Sequence, residues 1–284
     1  MATKKVELTA DQLAALSANS GGNDIQAITL PVLNRVQLNG GVEREEDAKG
    51  NEKRLKPYYR KSIFVGKDQD EIPVKENIGE GVELRLVKIR RKMVARDDDG
   101  KTVLSTSQYG AYDQVVSVYQ DGKKTAVCPA NKVYDKFESL KPRTQLEVYA
   151  LTEEGEQVIL ILKGTAINAG KRPEDKPSFK KYVSALNKDG GIAFFTTKLG
   201  GLYIKDGLEF NIVTFDKGRE TTVEEKLEIL DWQNELDEVM NKYDENNARV
   251  DTPSTDTDAV EEEEEDLLEE DLPFVATEAE EEKE

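Results

Sequence analysis

The sequence predicts a mainly β protein: an antiparallel, OB-like barrel with added β-hairpins, one C-terminal amphipathic helix and a disordered acidic tail. Three observations carry that prediction. Asp-Gly pairs at 99–100, 121–122, 189–190 and 206–207 each sit between short strand-like runs, as type I′ hairpins require. Residues 222–243 repeat apolar side chains at helical spacing behind a Thr222/Glu225 capping box. The last 34 residues, 251–284, hold 17 Asp/Glu and one Lys, so they carry sixteen of the chain's eighteen net negative charges. Such a run repels itself and has too little apolar surface to bury, which predicts disorder. The body, residues 1–250, is left nearly neutral, at about −2.

Taken in order, the chain divides into a flexible arm (1–52), an OB-like barrel (53–167), a hairpin extension with the helix (168–247) and the tail (248–284). Residues 9–16 suit a short helix capped by Thr9, with Gln12 completing the box. Residues 17–23 are Ser/Gly/Asn-rich and read as linker. The apolar stretch 28–33 contains Pro31, which makes it an edge strand or an extended arm on the body. Residues 39–52 are Gly and charge, a flexible connection.

Residues 82–95 read as one long strand. With period two, Leu84, Leu86, Lys88, Arg90 and Lys92 share one face, and Arg85, Val87, Ile89, Arg91 and Met93 the other. Residues 115–119 are expected to pair with 124–128, and 145–151 with 158–163 across Glu154-Gly155. The run 158–162 is apolar throughout and predicts a central strand covered on both faces. Residues 131–140 are the one helix expected here, ended by Lys141-Pro142. Strands, then a helix, then strands over 55–167 suit a small Greek-key barrel of the OB type. Residues 168–181 read as a loop; 182–186 should then pair with 192–197, and 202–204 with 208–215. In the helix, Ile229, Trp232, Leu236, Val239, Met240 and Tyr243 share a face expected to pack on the β body. The alternative for that stripe is self-association into a homo-oligomer.

Composition narrows the function. No run of 18 apolar residues exists, so no transmembrane helix is expected, and the polar N-terminus lacks a secretory h-region. A single cysteine, Cys128, excludes an internal disulfide framework and fits a reducing cytoplasm. The absence of histidine removes Ser-His-Asp and Cys-His catalysis and every His-containing zinc site. No GxxxxGKS/T loop, dinucleotide fingerprint or EF-hand appears. The expectation is a protein with no catalytic activity, metal or cofactor. Asp97, Asp98 and Asp99 could be nominated for a carboxylate–metal nuclease, but three aspartates before a glycine read as a solvated turn.

Cations interleaved with aromatic residues are the strongest constellation. They are Lys56, Tyr58, Tyr59, Arg60 and Lys61; Lys88, Arg90, Arg91 and Lys92; Tyr109 and Tyr112; and Phe179, Lys180, Lys181 and Tyr182. Single-stranded nucleic acid needs charges along its phosphates and flat rings for its unstacked bases. The competing reading is a solvated sheet face whose edge lysines block aggregation.

The tail adds a second argument. Glu269, Glu270, Asp271, Leu272, Pro273 and Phe274 place two apolar residues and a proline behind a carboxylate cluster. This element resembles the Asp-Asp-Asp-Ile-Pro-Phe tip of bacterial single-stranded DNA-binding proteins, which with their phage counterparts join an OB-type body to an acidic tail. The resemblance implies sequence-tolerant single-stranded DNA binding in phage or bacterial replication and recombination. It also implies recruitment of replication or recombination proteins through Asp271, Leu272, Pro273 and Phe274. In that family the tip phenylalanine sits in a pocket with its α-carboxylate on basic residues; here ten residues follow Phe274. The tail would also compete with DNA for the cationic surface. The rival class is a viral structural or assembly protein whose acidic tail only aids solubility.

Overall fold

The computed structural model describes residues 30–47, 50–64, 74–168, 172–206 and 208–248. The expected helix at 9–16, the linker at 17–23 and the whole acidic tail, with Asp271–Phe274, lie outside them.

The chain is mainly β, built on one large sheet. Its path runs β5 (Val74–Gly79), β4 (Tyr59–Ile63), β1 (Asn34–Leu38), β11 (Gln157–Lys163), β10 (Arg143–Leu151), β6 (Val82–Arg96), β7 (Thr102–Thr106), β8 (Val115–Gln120), β9 (Lys123–Pro129). A long hairpin, β12 (Phe195–Asp206) with β13 (Leu208–Glu220), joins at the start of β6, where Thr197 pairs with Leu84. β1 and β11 run parallel; the other pairings are antiparallel. The expected barrel does not close among the described strands. β1 enters beside β11 and carries the sheet on to β4 and β5, leaving open ends at β5 and β9.

β11 shows how the sheet is covered. Val158, Leu160 and Leu162 face a first core, which they share with helix α2 (Phe179–Lys188) and the β12–β13 hairpin. Ile159 and Ile161 face a second core beneath helix α3 (Val223–Ala248). Both faces are buried, as the unbroken apolar run predicts. A third core lies at the β7–β9 end, where Met93, Leu104, Val116 and Val118 meet Val133 of the single-turn helix α1 (Val133–Lys136). That turn, flanked by 3₁₀ turns, is what the expected helix at 131–140 becomes.

Several expectations are corrected. β1 lies inside the arm expected to be flexible, and it is an interior strand that starts beyond Pro31, where every backbone N–H can pair. The connection at 39–52 holds a small hairpin, β2 (Arg44–Glu46) with β3 (Glu52–Arg54). The strand expected at 182–186 is helix α2. Phe179, Tyr182 and Leu186 recur at helical spacing and fill the first core, while Ser178 caps the start by accepting from Lys181 N. Asp189-Gly190 therefore follows a helix and is not a hairpin turn. Asp121-Gly122 is the two-residue turn expected, with both φ angles positive at 49° and 80°. Asp99-Gly100 is not the two-residue type I′ turn expected: Asp97–Lys101 is a five-residue loop in which only Gly100 has positive φ, though it is the solvated turn expected for the aspartates.

Helix α3 starts as its sequence predicts. Glu225 N donates to Thr222 Oγ1 at 3.2 Å, and Thr222 N donates to Glu225 Oε2 at 2.8 Å. Ile229, Trp232, Leu236 and Met240 enter the second core, and Trp232 meets the Tyr149 ring edge-on at 6.1 Å. Thr222→Ala should cost about 1 kcal/mol, read by urea denaturation at pH 7. Glu225 is also acid-sensitive. Its hydrogen bond from Arg219 draws its pKa from 4.5 down to about 2. A depressed pKa stabilises the fold above the unfolded value, so this contribution fades as pH falls from 4.5 towards 2.

Candidate nucleic-acid interface

The β4 cluster is largely self-neutralised. Lys56 pairs with Glu80 at 3.0 Å, Arg60 with Glu43 at 2.6 Å and Lys61 with Glu156 at 2.5 Å. Tyr58 Oη donates to Glu43 at 2.7 Å. Tyr59 is fully buried, its hydroxyl donating to Gly200 O at 2.9 Å, and burial pushes its pKa far above the ordinary tyrosine value.

The β6 cluster is covered by α3. A bulge at Val87 adds one residue between the Tyr149↔Lys88 and Ala150↔Leu86 pairs. It breaks the period-two face. Leu84 and Leu86 fill the first core, while Val87 enters the second, beneath the helix. The cations then meet helix carboxylates: Arg85 with Glu228 at 2.5 Å, Lys88 with Asp237, and Arg90 with Asp244 at 2.5 Å. Burial and the neighbouring Arg90 lower the Lys88 pKa, with Asp244 acting in the opposite direction. Arg91 donates to Gly110 O and lies 5.1 Å from the Tyr112 ring.

The remaining expected residues do not join these into one trough. Tyr109 is buried in the third core, and Phe179 and Tyr182 in the first. Lys180 and Lys181 are exposed on α2, across the sheet from α3. Of the six rings expected to stack bases, only Tyr58 and Tyr112 reach the surface.

A different set of cations does converge. Arg96 ends β6, Lys141 and Arg143 lead into β10, and Lys163 ends β11. All four line a cleft of about 900 Å³ with Thr144, Gln145 and Thr165, and two carboxylates, Asp97 and Asp121, share it. None of the four makes an ion pair among the described residues. Register explains the convergence. Gln145 faces Lys92 on one side and Lys163 on the other, and Arg143 lies two residues further along the same face. The row Lys92–Gln145–Lys163 spans two strand spacings, about 10 Å. Lys163 is exposed as a residue, yet its ammonium is crowded enough to lose hydration. Its pKa is lowered first by that burial, then by Arg96 and Arg35, with Glu147 partly offsetting them. The four cations outnumber the cleft's two carboxylates and form an ion pair with neither, which suits the site to an anion. Lys141 holds its rim position in the left-handed region, at φ 49° and ψ 55°, with its N–H donating to Glu138 O at 2.9 Å.

No sequence signal singled out these four residues. They lie at the ends of β6 and β11 and at the entry to β10, and only the pairing of those three strands brings them together. Among the described residues no group of three Asp, Glu or Cys is placed to hold a metal ion, and no helix is long and apolar enough to cross a membrane. Comparison with protein-family models, curated proteins and solved structures finds no match.

Proposed function

We propose that this chain is a non-catalytic, sequence-tolerant single-stranded DNA-binding protein of phage or bacterial replication and recombination. The observation that carries the reading is the cleft: Arg96, Lys141, Arg143 and Lys163 line it without ion-pair partners among the described residues, and Lys92 adjoins it through Gln145. Contacts to phosphate carry no sequence information, which is why the binding is tolerant. Rings for bases are at hand near Lys92, where Phe64 and Tyr119 line the adjoining pocket. The acidic tail, 251–284, competes for the same cations, and Asp271, Leu272, Pro273 and Phe274 recruit partner proteins.

The test is binding of oligo-dT at two salt concentrations, with and without Mg²⁺. Binding should weaken steeply with salt and leave the DNA intact. Deleting residues 251–284 should tighten it. A tethered segment at ~1 mM effective concentration, with a Kd of about 0.1 mM for the cleft, raises the apparent Kd for DNA about tenfold. Unchanged affinity at low salt after the deletion removes self-competition from the reading.

A viral structural or assembly protein is the second reading. Val223, Leu227 and Leu230, exposed at 68%, 55% and 50%, form an apolar stripe on the outer side of α3 suited to self-association. It predicts a large oligomer and no oligo-dT binding.

A further inference from the structure

We propose that the pocket beside the cleft takes one unstacked guanine of the bound strand, giving an otherwise tolerant protein a single position of base preference. This inference rests on the single-strand reading and names what that surface selects. The pocket encloses about 340 Å³ between residues 30–33, the segment Ser105–Gln108 and the last turns of α3. That volume fits one nucleotide and excludes a duplex.

Its walls have the chemistry of a base site. Phe64, Tyr119 and Tyr243 supply rings, and Leu33 and Ile159 supply apolar surface. The Arg35 guanidinium lies 5.1 Å from the Phe64 ring centroid, so a cation accompanies the ring. Lys92 also lines the pocket, and through Gln145 it adjoins Lys163 of the cleft. A strand held in the cleft therefore has phosphate-binding groups leading to the pocket.

The selecting group is Glu147. It is 5% exposed and makes no ion pair among the described residues. Gln145 Nε2 donates to its Oε1 at 3.0 Å, and Gln108 Nε2 donates to its Oε2. Gln108 is itself held by Tyr149, whose hydroxyl donates to Oε1 at 3.0 Å, so the carboxylate is fixed in place. A carboxylate has about four acceptor positions, and these two bonds leave about half of them open. Guanine is the one DNA base whose Watson–Crick edge offers two adjacent donors, N1–H and N2–H. Adenine and cytosine set a ring-nitrogen acceptor beside their amino group. Thymine sets carbonyl oxygens on both sides of N3–H. A bidentate base contact of this kind discriminates by about tenfold or more.

The experiment uses the full chain. A labelled oligo-dT and the same oligomer with one central dG are titrated at a single salt concentration, and dGMP, dAMP, dCMP and dTMP are compared by thermal shift. The dG oligomer should bind about tenfold tighter, and dGMP should give the largest shift. Glu147→Gln should bring the affinity ratio of the two oligomers to about one. If Glu147→Gln does not fold, Val32→Trp tests the same point, because it fills the pocket from a wall position that is 39% exposed. Equal binding of both oligomers overturns the guanine pocket and leaves the single-strand reading standing. No binding of either oligomer, with a thermal shift from dGMP, assigns the pocket to a free guanine nucleotide and overturns its role in a strand. No binding and no shift overturn both.

Discussion

Replacing Arg96, Arg143 and Lys163 together with glutamate should abolish detectable oligo-dT binding at physiological salt. All three side chains are exposed and none holds an ion pair among the described residues, so the fold loses little. Each phosphate contact to a single strand contributes about 0.7 to the slope of log K against log salt, so three lost contacts remove about 2. Reversing the charges also adds repulsion, and an affinity loss of at least about two orders of magnitude is expected. Lys141 is left in place because its left-handed backbone makes a substitution there harder to interpret. Fluorescence anisotropy at several salt concentrations reads both quantities, and a thermal melt shows that the variant is folded. A folded triple variant with unchanged affinity and slope would eliminate the cleft as the interface.

The legible part of this fold is the part set by neighbouring residues. Asp121-Gly122 announces its own turn because both positions need positive φ. Thr222 and Glu225 announce the start of α3, and the run 158–162 announces its double cover. Helix α2 is less legible because Asp189-Gly190, which follows it, has the composition of a hairpin turn and competes with the helical spacing of Phe179, Tyr182 and Leu186. In β6 the obstacle is different. Nothing local marks Val87 as a bulge, since the extra residue is defined by its partner strand at Tyr149/Ala150. One inserted residue moves every later side chain to the opposite face. That is why Lys88 and Arg90 lie beneath acidic residues of α3 while Leu84 and Leu86 fill the first core. The interface was illegible for a related reason. Arg96, Arg143 and Lys163 are separated by 20 residues or more in sequence, and long-range register alone makes them neighbours.

Arg90 separates a cation that serves the fold from one that serves DNA. It is 5% exposed, and its Nη2 donates to Asp244 Oδ1 at 2.5 Å and to Gln108 O at 3.0 Å. Asp244→Ala should destabilise the protein by about 3 kcal/mol, because it leaves a buried guanidinium without its counter-charge. For a chain of this size that corresponds to a fall in Tm of about 6–12 °C. The double variant Arg90→Met/Asp244→Leu should recover most of the loss, since a buried pair exchanged for apolar groups is often near neutral. Chemical denaturation of Arg90→Met, Asp244→Leu and the double variant that combines them closes the cycle and isolates the coupling. In all three, the salt slope for oligo-dT measured on folded protein should match that of the parent, because α3 already occupies this guanidinium. A stable Arg90→Met variant with a shallower slope would instead place Arg90 on phosphate, and the acidic helix would then have to leave β6 before DNA could bind.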